Sequence, residues 1–368
     1  MRVHLVLAPG VLNDQQTARE VFRRALDARG LEGDFAVAAD EDGLRAAVAA
    51  GAGGGEVLLL TADTRDVTGL DLALGGSSII RIDLCDREPD RSPAVRRHVR
   101  GRGLAGIRFA VEAWFFHRTA PATLHSYGRD RDQRAELRLP PGTGPFPVAV
   151  LVHGGYWRAR WENDLMDALA VDLTGRGYAT WNVEYRKPAE HGWDATTADV
   201  AASLQALAGV DAPLDLRRIV TFGHSAGGQL VVRLAADRVL DTGVVVRPAF
   251  TVSLAGCLDL VSIDQRWLSE GAASHALGGR AEEIPAVYAA SSPLLRLPLG
   301  APVAVVVGVD DDLDLLDVSR SFAAAAVAAG DDVATLEGPG HHFSVIDPSS
   351  EIWADVVALV MQRVAPRG

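Results

Sequence analysis

Lysine is nearly missing from this chain: Lys187 is the only one among 368 residues, so almost all positive charge is arginine. Positive charge is also in deficit, with 36 basic against 48 acidic residues and a formal net charge of −12. Such a surface repels a phosphate backbone and argues against a nucleic-acid partner. Cysteine is scarce. Cys85 and Cys257 stand far apart with no C-x-x-C and no metal-ligand spacing, so no disulfide framework is indicated. No stretch approaches the roughly 20 apolar residues that cross a bilayer. The apolar run 3–8 is too short for a signal segment and has no cleavage site after it. The expectation is a cytoplasmic protein with no membrane partner. The glycine-rich bend 51–55 is followed by no G-x-x-x-x-G-K-[ST], which excludes a phosphate loop there. No internal repeat or long low-complexity segment is present.

What the chain has is Gly-His-Ser-Ala-Gly at 223–227, between the apolar run 219–222 and the helix-like stretch 228–234. A strand entering and a helix leaving is the setting that G-x-S-x-G needs to act as a nucleophile elbow. Gly223 and Gly227 remove side chains where strand and helix converge, and Ser225 is lifted out of the sheet edge. The motif alone is common, so its neighbours decide.

Upstream of it, His153-Gly154-Gly155-Tyr156-Trp157 follows the buried-strand run 147–152. A glycine pair after such a strand lets main-chain N–H groups point into a cleft and hold a developing oxyanion. The amides of Gly155, Tyr156 and Ala226 are the candidates. The plainer alternative is a tight strand-to-loop turn in which His153 is a structural hydrogen-bonding residue.

Downstream, the apolar run 303–307 leads into Gly308-Val309-Asp310-Asp311-Asp312. A carboxylate at the carboxyl end of a strand can orient a histidine and stabilise its imidazolium. Any of the three aspartates could serve, and an acidic loop capping the helix expected at 318–329 suits some of them. After a last strand at 333–336, Gly338-Pro339-Gly340-His341-His342-Phe343 forms a loop before a final helix, about 350–364. His342 is the preferred base and His341 the fallback. The order Ser, Asp, His is that of α/β-hydrolases.

Residues from about 125 to 368 resemble an α/β-hydrolase, and within that superfamily the kynurenine-formamidase-like and carboxylesterase-like branch with an H-G-G-x-W motif. The likeness rests on 153–157, Asn182-Val183-Glu184-Tyr185-Arg186, Gly192-Trp193, 223–227, Ser319-Arg320 and His342-Phe343. It implies a mostly parallel sheet with helices on both faces. It also implies cleavage of a small-molecule ester, or alternatively an N-formyl, amide or thioester bond, through an acyl-enzyme. No metal or organic cofactor is implied. The family spacing, three residues after Gly308 and eight before Ser319, selects Asp311 as the acid. Here the run of three aspartates departs from the single clear acid of the family.

The length suggests two domains. Short strands and helices alternate through 1–117, which reads as a small doubly wound, flavodoxin-like parallel sheet. Strands are expected at 3–7, 35–38, 57–60 and 79–84, with helices at 17–29, 41–50 and 103–116. A linker at 118–130 then joins a hydrolase domain at 131–368. The first segment resembles a shortened type II 3-dehydroquinate dehydratase through 5–13, 79–89 with Arg87-Glu88-Pro89, and 101–106. No tyrosine precedes Tyr127, so that family's lid tyrosine is missing, and Asp83 stands where the family has histidine. Without that pair a dehydration has no evident acid and base. The expectation is a non-catalytic scaffold or wall, with Asn13 as the one residue that could still bind a ligand. The parent family is oligomeric, which the resemblance carries over as self-association through this segment.

Tyr156, Trp157 and Trp161 crowd the oxyanion loop and could line an acyl or alcohol site, although Trp157 could equally be core. Gly154 and His224 complete the substrate-side candidates, and supporting roles suffice for His224 and Arg158. The stretch 262–293, with Trp267, Leu268 and His275, lies where these folds insert a cap. Asp259 is an alternative acid whose simpler reading is a turn cap.

Overall fold

The computed structural model describes residues 2–12, 14–53, 57–61, 78–86, 89–90, 92–237 and 246–365; Asn13, Arg87 and Glu88 lie outside them. The chain divides into two compact units, Met1–Pro121 and Ala122–Gly368.

In the first unit five parallel strands, β1 (Arg2–Leu7), β2 (Glu32–Val37), β3 (Val57–Thr61), β4 (Ile79–Asp83) and β5 (Val95–Arg100), lie in the order β2-β1-β3-β4-β5. That is the flavodoxin-like order expected from the sequence. The central strands β3 and β4 are buried along their whole length, as strands covered on both faces must be. Asp14 and Asp40 start the helices Gln15–Asp27 and Glu41–Ala52 by accepting from the main-chain N–H groups of Gln16 and Gly43. The bend expected at 51–55 begins inside the second helix, which takes in Gly51. One strand was not anticipated. β5 reads Val-Arg-Arg-His-Val-Arg, and its charge hides the apolar alternation that marks a strand.

The second unit carries eight strands: β6 (Thr123–Ser126), β7 (Arg134–Arg138), β8 (Phe146–Val152), β9 (Ala179–Val183), β10 (Leu214–His224), β11 (Phe250–Leu254), β12 (Val303–Gly308) and β13 (Val333–Gly338). Their order is β13-β12-β11-β10-β8-β9-β7-β6, parallel except where β7 pairs with β6 and β9. Helices flank this sheet in the manner expected of an α/β-hydrolase. β6 falls within the stretch read as a linker, which is thereby corrected: residues 123–126 are the edge strand of the sheet. The helix Ala226–Ala236 is buried from Ala226 through Val232, which makes it the central helix of this core. The loops after β8, β10, β12 and β13 all leave from the carboxyl ends of parallel strands. Those loops carry the candidate residues.

Candidate active site

β10 ends at His224, and the helix Ala226–Ala236 begins at Ala226, so Ser225 alone makes the turn. Its backbone sits at φ 53° and ψ −118°, outside the favoured regions for a side chain. Such a conformation costs about 1–3 kcal/mol and persists only where its surroundings enforce it. Here they do. Ser225 N–H donates to the Leu254 carbonyl at 2.8 Å, and the Ser225 carbonyl accepts from Gly228 and Cys257. A Cβ on Gly227 would lie 2.1 Å from the Val152 carbonyl oxygen, and one on Gly223 2.2 Å from the Gly227 carbonyl. Both positions admit only glycine.

The three aspartates after β12 divide their tasks. Asp311 is buried, and its Oδ2 lies 2.9 Å from Nδ1 of His342. Because a carboxylate only accepts, that ring nitrogen carries the proton. Asp312 caps the helix Leu313–Ala328 by accepting from Asp314 N–H at 2.9 Å. That helix therefore starts five residues before the expected position. Asp310 exchanges main-chain and side-chain bonds with Gly340 at the base of the histidine loop. His341 is exposed, and its Nδ1 accepts from Phe343 N–H within the same loop. Asp259 caps the helix Leu260–Gln265 through Val261 and Ser262.

His342 sits beside the elbow because His224, next to Ser225, donates from Nε2 to the His342 carbonyl at 3.0 Å. The two rings are 4.7 Å apart. No hydrogen bond joins the Ser225 hydroxyl to His342 in this structure. Such bonds are often long without substrate and tighten on binding. His224 itself is buried, and burial, with His342 next, holds its ring well below the ordinary histidine range.

The loop 153–157 lies against the elbow. A Cβ on Gly154 would fall 2.8 Å from Ser225 Cβ and 2.6 Å from the His224 carbonyl. Gly155, Tyr156 and Trp157 follow with φ of 110°, 51° and 57°. Among the described residues, none of the N–H groups of Gly155, Tyr156 and Ala226 donates a hydrogen bond. Main-chain donors are seldom left so unless a ligand or water takes them. Tyr156 is held above the ordinary phenol range first by burial and then by its neighbours Cys257, Asp312 and Asp311, so its hydroxyl stays protonated.

Trp157 belongs to the core: it is 2% exposed, donates to Gln229 at 3.2 Å and packs edge-on against Trp193. Trp161 remains partly exposed with its ring against Gly155. Gly154, within the loop, and His224, at the end of β10, are both buried. Arg158 reaches the helix Leu268–Leu277, where its guanidinium donates to the Ser269 carbonyl at 2.5 Å.

Two features escaped the sequence reading. Cys257 lies at the elbow, where burial pushes its thiol up to about 12 while the Ser225 side chain pulls the other way. The second is the use of the lone lysine. Lys187 bonds the Glu184 carboxylate and the Tyr185 carbonyl and reaches Nε2 of His153 at 3.4 Å, all in the interior. Burial raises Glu184, but Lys187 and His153 outweigh it and hold the carboxyl well below its usual range. Nδ1 of His153 lies 2.7 Å from the Gly154 carbonyl, so this cluster braces the loop from beneath. The run Glu184-Tyr185-Arg186-Lys187 after a strand was the available signal, but nothing in its pattern disclosed burial.

Residues 136–325, just over half of the chain, match the family model BD-FAE. The chain belongs to the BD-FAE family. No curated protein matches it. Among solved structures, this BD-FAE chain is similar to a putative thioesterase from Silicibacter sp. TM1040, with 29% identity and a TM-score of 0.55 over 68% of this chain and 91% of that one. A bacterial heroin esterase shares 24% identity, with a TM-score of 0.54 over 66% and 83% of the two chains. A bifunctional GH43-CE protein from Bacteroides eggerthii reaches a TM-score of 0.59 at 17% identity, over 65% of this chain and 34% of that protein. The fold is that of an α/β-hydrolase. Among the described residues, no helix is long and apolar enough to cross a membrane.

Proposed function

We propose that this chain is a serine hydrolase that cleaves small-molecule carboxylic esters through an acyl-enzyme. Ser225 attacks the carbonyl, His342 takes its proton, and Asp311 orients the ring and stabilises the imidazolium. The amides of Gly155, Tyr156 and Ala226 receive the oxyanion. His342 then protonates the leaving group, and water hydrolyses the acyl-enzyme. The observation that carries this reading is the 2.9 Å bond between His342 and Asp311, with Nε2 of His342 left for the hydroxyl of Ser225. The three unengaged amides beside the elbow support it.

A fluorophosphonate tests the reading directly. It should label the folded protein at Ser225, and Ser225→Ala should lose both labelling and ester turnover. An unlabelled folded protein, or full esterase activity in Ser225→Ala, defeats it. Thioesters deserve a parallel assay because the 29% identical neighbour is called a putative thioesterase. Aryl formamides belong in the same panel, since the triad serves an amide equally and differs only in its leaving group. The first unit is proposed as a non-catalytic partner to this chemistry. That is supported by the engagement of Asp83 with His98, Arg81 and Thr61 in the protein interior.

A further inference from the structure

We infer that His224 is a positioning residue: as a permanently neutral donor it fixes the main chain of the base against the elbow that carries the nucleophile. This inference rests on the assignment of His342 as base.

Three observations meet at this ring. First, its Nε2 lies 3.0 Å from the His342 carbonyl oxygen. A carbonyl only accepts, so Nε2 holds the proton. Second, its Nδ1 is buried and has no hydrogen-bond partner. A proton placed there would leave an unpaired charge in the interior, which burial opposes strongly. The titratable groups that face the ring are His342 on the loop after β13 and His153 at the end of β8, and neither supplies a negative partner. Third, a Cβ on Gly154 would come within 3.0 Å of that same Nδ1, so the ring also backs the oxyanion loop.

The consequence is geometric. His342 is gripped twice, by Asp311 on its imidazole and by His224 on its carbonyl. Because His224 is bonded to Ser225, the distance from nucleophile to base is set across one peptide and one hydrogen bond. A charged donor would achieve the same grip but would repel the imidazolium that forms on His342 in each turnover. A neutral imidazole with one proton avoids this. Misplacement of a reacting group by about 1 Å can cost about 10²-fold in rate, so the grip has a measurable effect.

The test compares His224→Phe, which keeps a ring without a donor, with His224→Gln, which restores an N–H donor on a flexible stem. The readouts are kcat and KM on an ester substrate, and the low-field proton resonance of the His342–Asp311 bond. The phenylalanine variant should lose about 10²-fold in kcat with KM nearly unchanged, and the low-field resonance should broaden or vanish. Glutamine should recover most of both. The inference is overturned if folded His224→Phe keeps the parent kcat and resonance. It is equally overturned if both variants are impaired alike, since shape rather than the donor would then matter. The resonance needs no turnover, so it reads the grip even if fluorophosphonate labelling fails and Ser225 proves not to be the nucleophile.

Discussion

Each unit of this protein holds an aspartate–histidine pair at 2.9 Å, and the two pairs sit in different surroundings. In the first unit His98 and Asp83 are each 1% exposed, and both nitrogens of the ring are engaged. Nε2 meets Asp83, and Nδ1 accepts from the Asp90 main chain at 2.9 Å. Arg81 and Thr61 close the remaining side of Asp83. In the second unit Asp311 is equally buried, but His342 is 21% exposed and only Nδ1 is bonded. The bond that orients a base is thus the same bond that seals a core. What separates them is the second ring nitrogen: engaged in the first unit, it ties the pair into the interior, and open beside a strained serine in the second, it leaves His342 free for the base role proposed for it.

The comparison breaks most sharply at the elbow. Ser225→Ala or His342→Ala should reduce kcat by about 10⁶-fold, with substrate binding retained, because a triad fails as a unit. His98→Ala should leave kcat per folded molecule at the parent value. Steady-state kinetics on purified, folded variants checks both, and a comparable loss in His98→Ala would erase the distinction. Asp311→Asn should cost about 10⁴-fold by presenting the wrong tautomer to His342. Asp310→Asn and Asp312→Asn should stay within about threefold, since those residues tie a loop and cap a helix. Asp312→Ala should instead lower stability by about 1 kcal/mol, read as a shift in the denaturant midpoint.

Lys187 comes next in size, and its effect is on stability. Lys187→Met takes the lysine partner from the buried Glu184 carboxylate, and breaking a buried pair from one side costs about 3–5 kcal/mol. Equilibrium unfolding in urea measures it. A loss under about 1 kcal/mol would mean that the cluster does not brace the loop.

The strand-turn-helix around Ser225, one all-parallel sheet and one mostly parallel sheet were legible because each follows from a local rule. Apolar runs of five or six residues, such as 303–307, read as buried parallel strands, and glycines flanking Ser225 read as a sharp turn. What was not legible depended on which partner a polar residue finds. β5 was invisible because its buried positions include the polar side chains of His98 and Arg100, whose partners, Asp83 and Asp86 among them, the sequence does not reveal. β6 was read as linker because Thr123-Leu124-His125-Ser126 is an exposed edge strand with no apolar face. Three adjacent aspartates look alike by composition; the family spacing favoured Asp311, and the return of the chain at Gly340 and His342 shows the different bonds that Asp310 and Asp311 make. The start of the helix Leu313–Ala328 was missed although Asp312 followed by Asp314 is a usable capping signal. His224 was visible but unassignable, since its partner is a main-chain carbonyl 118 positions away.

The smallest effect on catalysis, and the finest test of the contrast, belongs to pH. Burial raises the Asp83 carboxyl, but His98, Thr61 and Arg81 outweigh it and leave it below its ordinary value. A carboxyl depressed in the folded state contributes stability that is complete above the unfolded pKa of about 4. That contribution is lost as pH falls from there through the lower folded value. The first unit should therefore loosen below about pH 4. Hydrogen exchange read by mass spectrometry, corrected for the intrinsic rate, should show β4 and β5 losing protection in that window. Asp83→Asn should show the loosened state already at neutral pH, because His98 and Arg81 lose their carboxylate, while kcat per folded molecule is unchanged. If exchange in β4 and β5 is indifferent to both pH and substitution, the sealed pair does not hold the first unit together. The contrast between a structural and a chemical Asp–His bond would then lose its structural half.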